Sequence, residues 1–88
     1  MKYDPYQILL SPVMTESVFE LIEKENKIVF TCHRKSTKTQ IKQAIEELFE
    51  VKVEKVNSNI QPGGIKRVYI KLTEDYSAMD LAMQLGMF

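Results

Sequence analysis

The chain has 88 residues, 44% of them hydrophobic and 27% charged, with twelve Lys and Arg balancing twelve Asp and Glu. That length predicts one domain over residues 1–88 with a thin core. No apolar run approaches the ~20 residues of a membrane span, and the start of the chain lacks the apolar segment and cleavage site of a secretory leader. The lone Cys32 excludes an internal disulfide and points to a reducing compartment, so a cytoplasmic protein is expected.

Asp4-Pro5 fits an N-cap followed by a first-turn proline, which predicts a short helix from Tyr6 to Leu10. Ser11-Pro12 breaks it. Thr15 caps a second helix in which Val18, Leu21 and Ile22 recur at helical spacing, and Glu25-Asn26-Lys27 turns the chain. Ile28 to His33 alternates as a strand, with Ile28, Phe30 and Cys32 on one face and Val29, Thr31 and His33 on the other. Thr37 and Gln40 form a capping box. Behind it Ile41, Ala44, Ile45, Leu48 and Phe49 make the clearest amphipathic stripe of the chain, a helix from Lys38 to about Glu50.

Val51 to Ile60 reads as a strand with a phase fault. Val51 and Val53 share one parity, Val56 and Ile60 the other, and a bulge near Glu54-Lys55 reconciles them. Gln61-Pro62-Gly63-Gly64 suits a type II turn with Pro62 and Gly63 at its centre. Ile65 to Thr73 is the returning strand, antiparallel to the one before it; Val68, Ile70 and Leu72 face the core and Arg67, Tyr69 and Lys71 the other side. Ser77 and Asp80 cap a last helix with Leu81, Ala82 and Leu85. If the strands flanking the long helix run parallel, their crossover is right-handed. The fold expected is a small α+β sandwich, an antiparallel sheet of three or four strands with helices packed on it.

No catalytic constellation appears. Cys32 and His33 are adjacent on a strand, point to opposite faces, and are badly placed for one metal ion or a nucleophile–base pair. Gly63-Gly64 lacks the lysine spacing and following helix of a phosphate loop. Met79, Met83 and Met87 recur every fourth residue and are read as the buried face of the last helix rather than a binding stripe. No cofactor, metal or small-molecule substrate is called for.

The charges carry the functional signal, because they are sorted into blocks. Lys27, Arg34, Lys35, Lys38 and Lys42 occupy 27–45 without an acid, and Lys55, Lys66, Arg67 and Lys71 occupy 55–73 without one. The carboxylates cluster at 16–25, 46–54 and 74–80. Segregation gives one positive face for phosphates and one negative face for another partner. Arg34, Lys35, Lys38 and Lys42 flank the strand-to-helix corner, and Lys38 and Lys42 share a helix face. Arg67, Tyr69 and Lys71 mix basic and aromatic groups in a way that suits RNA backbone and bases, while Asn57, Ser58 and Asn59 can reach phosphate, sugar or base edges.

At this point a resemblance emerges. Pro12-Val13-Met14-Thr15-Glu16, Asn26-Lys27-Ile28-Val29-Phe30, Thr37-Lys38 with Ile41-Lys42 and Leu48-Phe49, Val56-Asn57 and Lys66-Arg67-Val68-Tyr69-Ile70-Lys71-Leu72-Thr73 resemble the universal large-subunit ribosomal protein number twenty-three family over nearly the whole chain. The resemblance implies a non-enzymatic constituent of the large subunit. It would bind large-subunit rRNA near the polypeptide exit tunnel, contact neighbouring ribosomal proteins and stay ribosome-bound. It would offer a docking surface to the signal recognition particle, ribosome-bound chaperones and the protein-conducting channel, without itself inserting into the membrane. Carried over position by position, Thr15, Arg34, Lys35, Thr37, Lys38, Lys42, Asn57, Asn59, Lys66 and Arg67 fall to RNA and Glu16 to docking; the strand face adds Lys71 to the RNA set, and the acid block adds Glu20 to the docking set.

Two departures stand out. Ser17 replaces a basic residue common after the S/T-E pair. Gln61 to Gly64 fills the place of the long basic extension that bacterial members send into the tunnel, so the chain resembles the archaeal or eukaryotic-cytosolic form. The N-terminus without a basic tail favours the archaeal one. The alternative from another class is a stand-alone protein-interaction module that uses its acidic face. An acylphosphatase-like hydrolase is disfavoured, because no loop sets an arginine and an asparagine around a phosphate.

Overall fold

A computed structural model describes residues 9–33 and 35–87. Along the chain come β1 (Leu9–Pro12), α1 (Glu16–Glu25), β2 (Lys27–Cys32), α2 (Lys38–Phe49), β3 (Val53–Ile60), β4 (Lys66–Leu72) and α3 (Ala78–Gln84). The strands make one antiparallel sheet in the order β1-β2-β4-β3. β2 and β3 are each antiparallel to β4 and therefore parallel to one another, with α2 carrying the chain across. The result is the expected α+β sandwich, with four strands.

The helices begin where hydroxyl side chains can satisfy their free N–H groups. Thr15 Oγ1 accepts from the Val18 N–H at 3.3 Å, and Ser77 Oγ from the Asp80 N–H at 3.3 Å. At α2 the capping box is reciprocal: Thr37 Oγ1 accepts from Gln40 N–H at 3.2 Å, and Gln40 Oε1 accepts from Thr37 N–H at 3.0 Å. α1 and α2 end on Asn26 and Glu50, both left-handed with φ of 56° and 54°.

On β4 the alternation is clean. Val68, Ile70 and Leu72 are buried while Arg67, Tyr69 and Lys71 are half-buried. Cross-strand register sets Ile28 opposite Ile70 and Phe30 opposite Val68, so these side chains share one face. Phe49 of α2 stacks on Phe30 with ring centroids 6.2 Å apart, which places the Ile41, Ala44 and Ile45 stripe of α2 on that face. Each such fully buried aliphatic side chain stabilises by about 1.5–3 kcal/mol. β2 is buried without alternation from Ile28 through Phe30, the pattern of a strand covered on both faces. Burial on the second face falls away along the cross-strand rows: Val29 is buried, Tyr69 opposite it half-buried, and Asn57 beyond exposed.

Several expectations change. Leu9 and Leu10 lie in β1 rather than in a helix; residues 6–8 fall outside the described residues. β1 forms because the β2 edge is free to pair, with Pro12 opposite Phe30 at its end. Pro12 has no N–H, and the end of an edge strand tolerates that. Ser11 Oγ and Thr31 Oγ1 meet at 2.9 Å to fasten it. The bulge is where the phase fault placed it: the register slips between Val53 and Lys55. Even so, only Val56 of the shifted pair packs toward the core, while Ile60 at the strand end is 63% exposed. The methionine stripe splits. α3 ends at Gln84, so its buried face is Ala78, Leu81 and Ala82. Met79 packs against the core, Met83 is 54% exposed, and Met87 is buried only after the chain turns at Gly86, φ 75°.

Candidate nucleic-acid interface

The basic residues of the sequence fall on two surfaces that meet at the outer edge of β3. On the first, α2 begins at Lys38 and carries Lys38 and Lys42 one turn apart, both exposed. α2 lies along β3. Lys38, Thr39 and Lys42 face Val53, Glu54, Lys55 and Val56 across a shallow groove of about 190 Å³. Three lysines and one glutamate are among its lining residues, so the local balance of charge favours an anion. Lys35 sits exposed in the turn before the helix, where its N–H donates to His33 Nδ1 at 3.2 Å. Arg34 lies outside the described residues.

The second surface is the β4–β3 half of the sheet's second face. Cross-strand pairing sets Arg67 opposite Asn59, Tyr69 opposite Asn57 and Lys71 opposite Lys55. Lys71 makes a long ion pair with Glu54 at 4.0 Å. Among the described residues Arg67 makes no ion pair, and its Nε is buried without an acceptor.

Three residues assigned to RNA have structural work. Thr15 and Thr37 are helix caps. Lys66 is half-buried, and its ammonium donates to the Ser36 carbonyl at 2.5 Å, pinning β4 to the turn that launches α2. The Ser36 hydroxyl donates in turn to the His33 carbonyl at 2.5 Å. Sequence spacing could not reveal this, because a lysine in a basic block looks alike whether it faces solvent or a carbonyl. Lys55, counted in the second basic block but not assigned to RNA, lines the β3 wall of the groove and stands opposite Lys71 in the sheet, so it lies where the two surfaces meet.

The acids sit on other elements. Glu16 and Glu20 are exposed on α1, which packs beside β2 and α3 rather than β3. Among the described residues no cluster of His, Cys, Asp and Glu could hold a metal ion, and no helix is long and apolar enough to cross a membrane. Cys32 is fully buried, and burial pushes its thiol up from 9.0 to about 12, with the Lys66 ammonium pulling the other way.

Residues 7–83 match the family described as ribosomal protein L23. The chain belongs to that family. It is similar to the large ribosomal subunit protein uL23 of Methanothermobacter thermautotrophicus, 47% identical over 97% of this chain and 99% of the relative. The proteins of the same name from Methanococcus vannielii and Methanococcus aeolicus are 44% and 42% identical over the same shares. These relatives are archaeal and match end to end, so this L23 chain is of the archaeal type. Membership makes it a structural, non-enzymatic constituent of the large ribosomal subunit, at work on the ribosome in the cytoplasm. The short turn between β3 and β4 accords with that type: Gly64 N–H closes it on the Gln61 carbonyl at 3.1 Å, with Gly63 at φ 93° as a type II turn requires.

Proposed function

We propose that this L23 chain binds large-subunit rRNA near the polypeptide exit tunnel, and that it meets the RNA first through the groove between α2 and β3. The observation that carries this is the convergence of Lys38, Lys42 and Lys55 on one groove with Glu54 as its sole carboxylate. Lys35 extends the positive surface toward the turn. A phosphate backbone laid along that edge would release counterions from each neutralised contact.

The exposed acids of α1 form a separate surface. Glu16 and Glu20 would offer a docking face to nascent-chain factors such as the signal recognition particle, ribosome-bound chaperones and the protein-conducting channel, their carboxylates suiting a basic segment of such a partner. Charge segregation supports the division, since RNA would repel from α1 and be drawn to α2.

Sucrose-gradient sedimentation of the tagged protein, followed by a high-salt wash, tests the RNA role. Co-migration with the large subunit through the wash is expected; recovery at the top of the gradient would overturn it and favour a stand-alone interaction module. Glu16→Lys is expected to weaken factor binding to otherwise intact subunits. Unchanged factor affinity would remove Glu16 from the docking face.

A further inference from the structure

We propose that the β4–β3 half of the sheet's second face is a second RNA site, one that takes unpaired nucleotides of large-subunit rRNA by stacking a base on Tyr69. This rests on the RNA-binding reading above and adds a different kind of contact to it. The α2 groove offers charge alone, which holds a backbone without reading it. The sheet face offers a ring, two carboxamides and cations in a fixed grid.

The grid follows from register. Tyr69 stands directly opposite Asn57, with Arg67 opposite Asn59 on one side and Lys71 opposite Lys55 on the other. Directly opposed residues in an antiparallel pair hold their Cβ atoms about 5 Å apart, so one nucleotide placed on Tyr69 reaches the Asn57 and Asn59 amides and the Arg67 guanidinium together. Tyr69 is only half-buried and packs against the core, so its ring is held in place while part of it stays accessible. Asn57, Asn59 and Lys55 are exposed.

Charge selects the occupant. Of the six grid residues three are cationic and none is acidic; the nearest carboxylate, Glu54, reaches Lys71 at 4.0 Å, at the far end from Arg67. Arg67 is half-buried and has no ion-pair partner among the described residues, so its guanidinium charge is left for a phosphate or base oxygen. An unstacked base over an aromatic ring, with amides on its edge and cations on its backbone, is how proteins hold single-stranded RNA. A duplex cannot present its bases this way, so the ligand class is an unpaired loop or bulge.

Zero-length ultraviolet crosslinking of purified subunits containing this protein tests the proposal, read by mass spectrometry of the tryptic peptide Val68–Lys71. A nucleotide adduct on Tyr69 is expected; an adduct between this peptide and another polypeptide would overturn the proposal. In binding to transcribed large-subunit rRNA, Tyr69→Leu is expected to weaken affinity by roughly ten- to a hundredfold. It should erase the chemical-probing protection of a few unpaired nucleotides and leave the salt slope unchanged. Tyr69→Phe should restore affinity and protection. Asn59→Ala, at an exposed position that leaves the fold alone, should lose the same protections. Wild-type affinity and protections in Tyr69→Leu would refute the stacking site while leaving the α2 groove standing. Failure of the wild-type protein to bind the RNA would refute both.

Discussion

Asn26 and Ala78, 52 positions apart, are joined by a hydrogen bond of 2.7 Å from the Ala78 N–H to Asn26 Oδ1. The same side chain turns its Nδ2 to the Tyr76 carbonyl at 2.9 Å and to the Leu72 and Thr73 carbonyls at 3.3 Å. One carboxamide thus ties the end of α1, the end of β4 and the first turn of α3 into a single corner. It can do so because Asn tolerates the left-handed backbone there, φ 56°. Asn26→Ala is expected to cost about 2–4 kcal/mol in urea unfolding followed by circular dichroism, since it loses the bonds and strains the backbone. A loss under about 0.5 kcal/mol would show that water replaces the side chain.

Glu50 makes the contrasting case. It ends α2 with φ 54°, and its side chain is exposed. Glycine at this place removes the left-handed cost without removing a bond, so Glu50→Gly is expected to raise stability by about 1 kcal/mol. Asn26→Gly should lower it despite the same backbone relief. If both glycines move stability the same way, the Asn26 bonds are not what hold the corner.

Most of the fold was legible in the chain because local signals agreed with one another. The Thr37–Gln40 box, the α2 stripe, the β4 alternation and the bulge at Glu54 each follow from near neighbours in sequence. What failed was set by distant partners. β1 exists only because β2 has an edge to offer, and no local period marks Leu9–Pro12 as a strand. Asn26 looked like a turn residue, since its acceptors lie 46 to 50 positions away. Within the candidate site Lys38, Lys42, Asn57 and Asn59 stand exposed, whereas Lys66, in the second basic block, turns to a backbone carbonyl.

That difference is testable. Lys66→Met removes the donor to Ser36, a residue only 5% exposed, and is expected to cost about 1–2 kcal/mol in thermal or urea unfolding. The salt slope of RNA binding should stay at the wild-type value. A slope lower by about one unit would instead make Lys66 a phosphate contact.

Lys38 and Lys42 should behave in the opposite way. They are exposed on α2 and make no ion pair among the described residues. The double change to Ala is expected to leave stability within about 0.5 kcal/mol. It should lower the slope of log K against log salt by up to about two units in a filter-binding series. An unchanged slope would move the phosphate contact away from the α2 groove.

Cys32 gives a pH signature. Its thiol sits fully buried beneath α2, and burial pushes it to about 12 from an ordinary 9.0. Unfolding releases the thiol to water, where it ionises at the ordinary value. Between the two values the unfolded state therefore binds fewer protons than the folded one, and stability falls as pH rises. The contribution is complete below 9.0 and drains away toward about 12. The comparison is with Cys32→Val, which keeps the volume and removes the proton. Wild type is expected to lose stability faster than Cys32→Val as pH climbs above 9, with the two curves parallel near neutrality. Iodoacetamide should alkylate the native thiol far more slowly than the urea-unfolded one, because only the thiolate reacts and the fold withholds it. Rapid alkylation of the native protein at neutral pH would show that the sheet opens at Cys32, and that the closed packing of β2 against α2 is not the state that persists in solution.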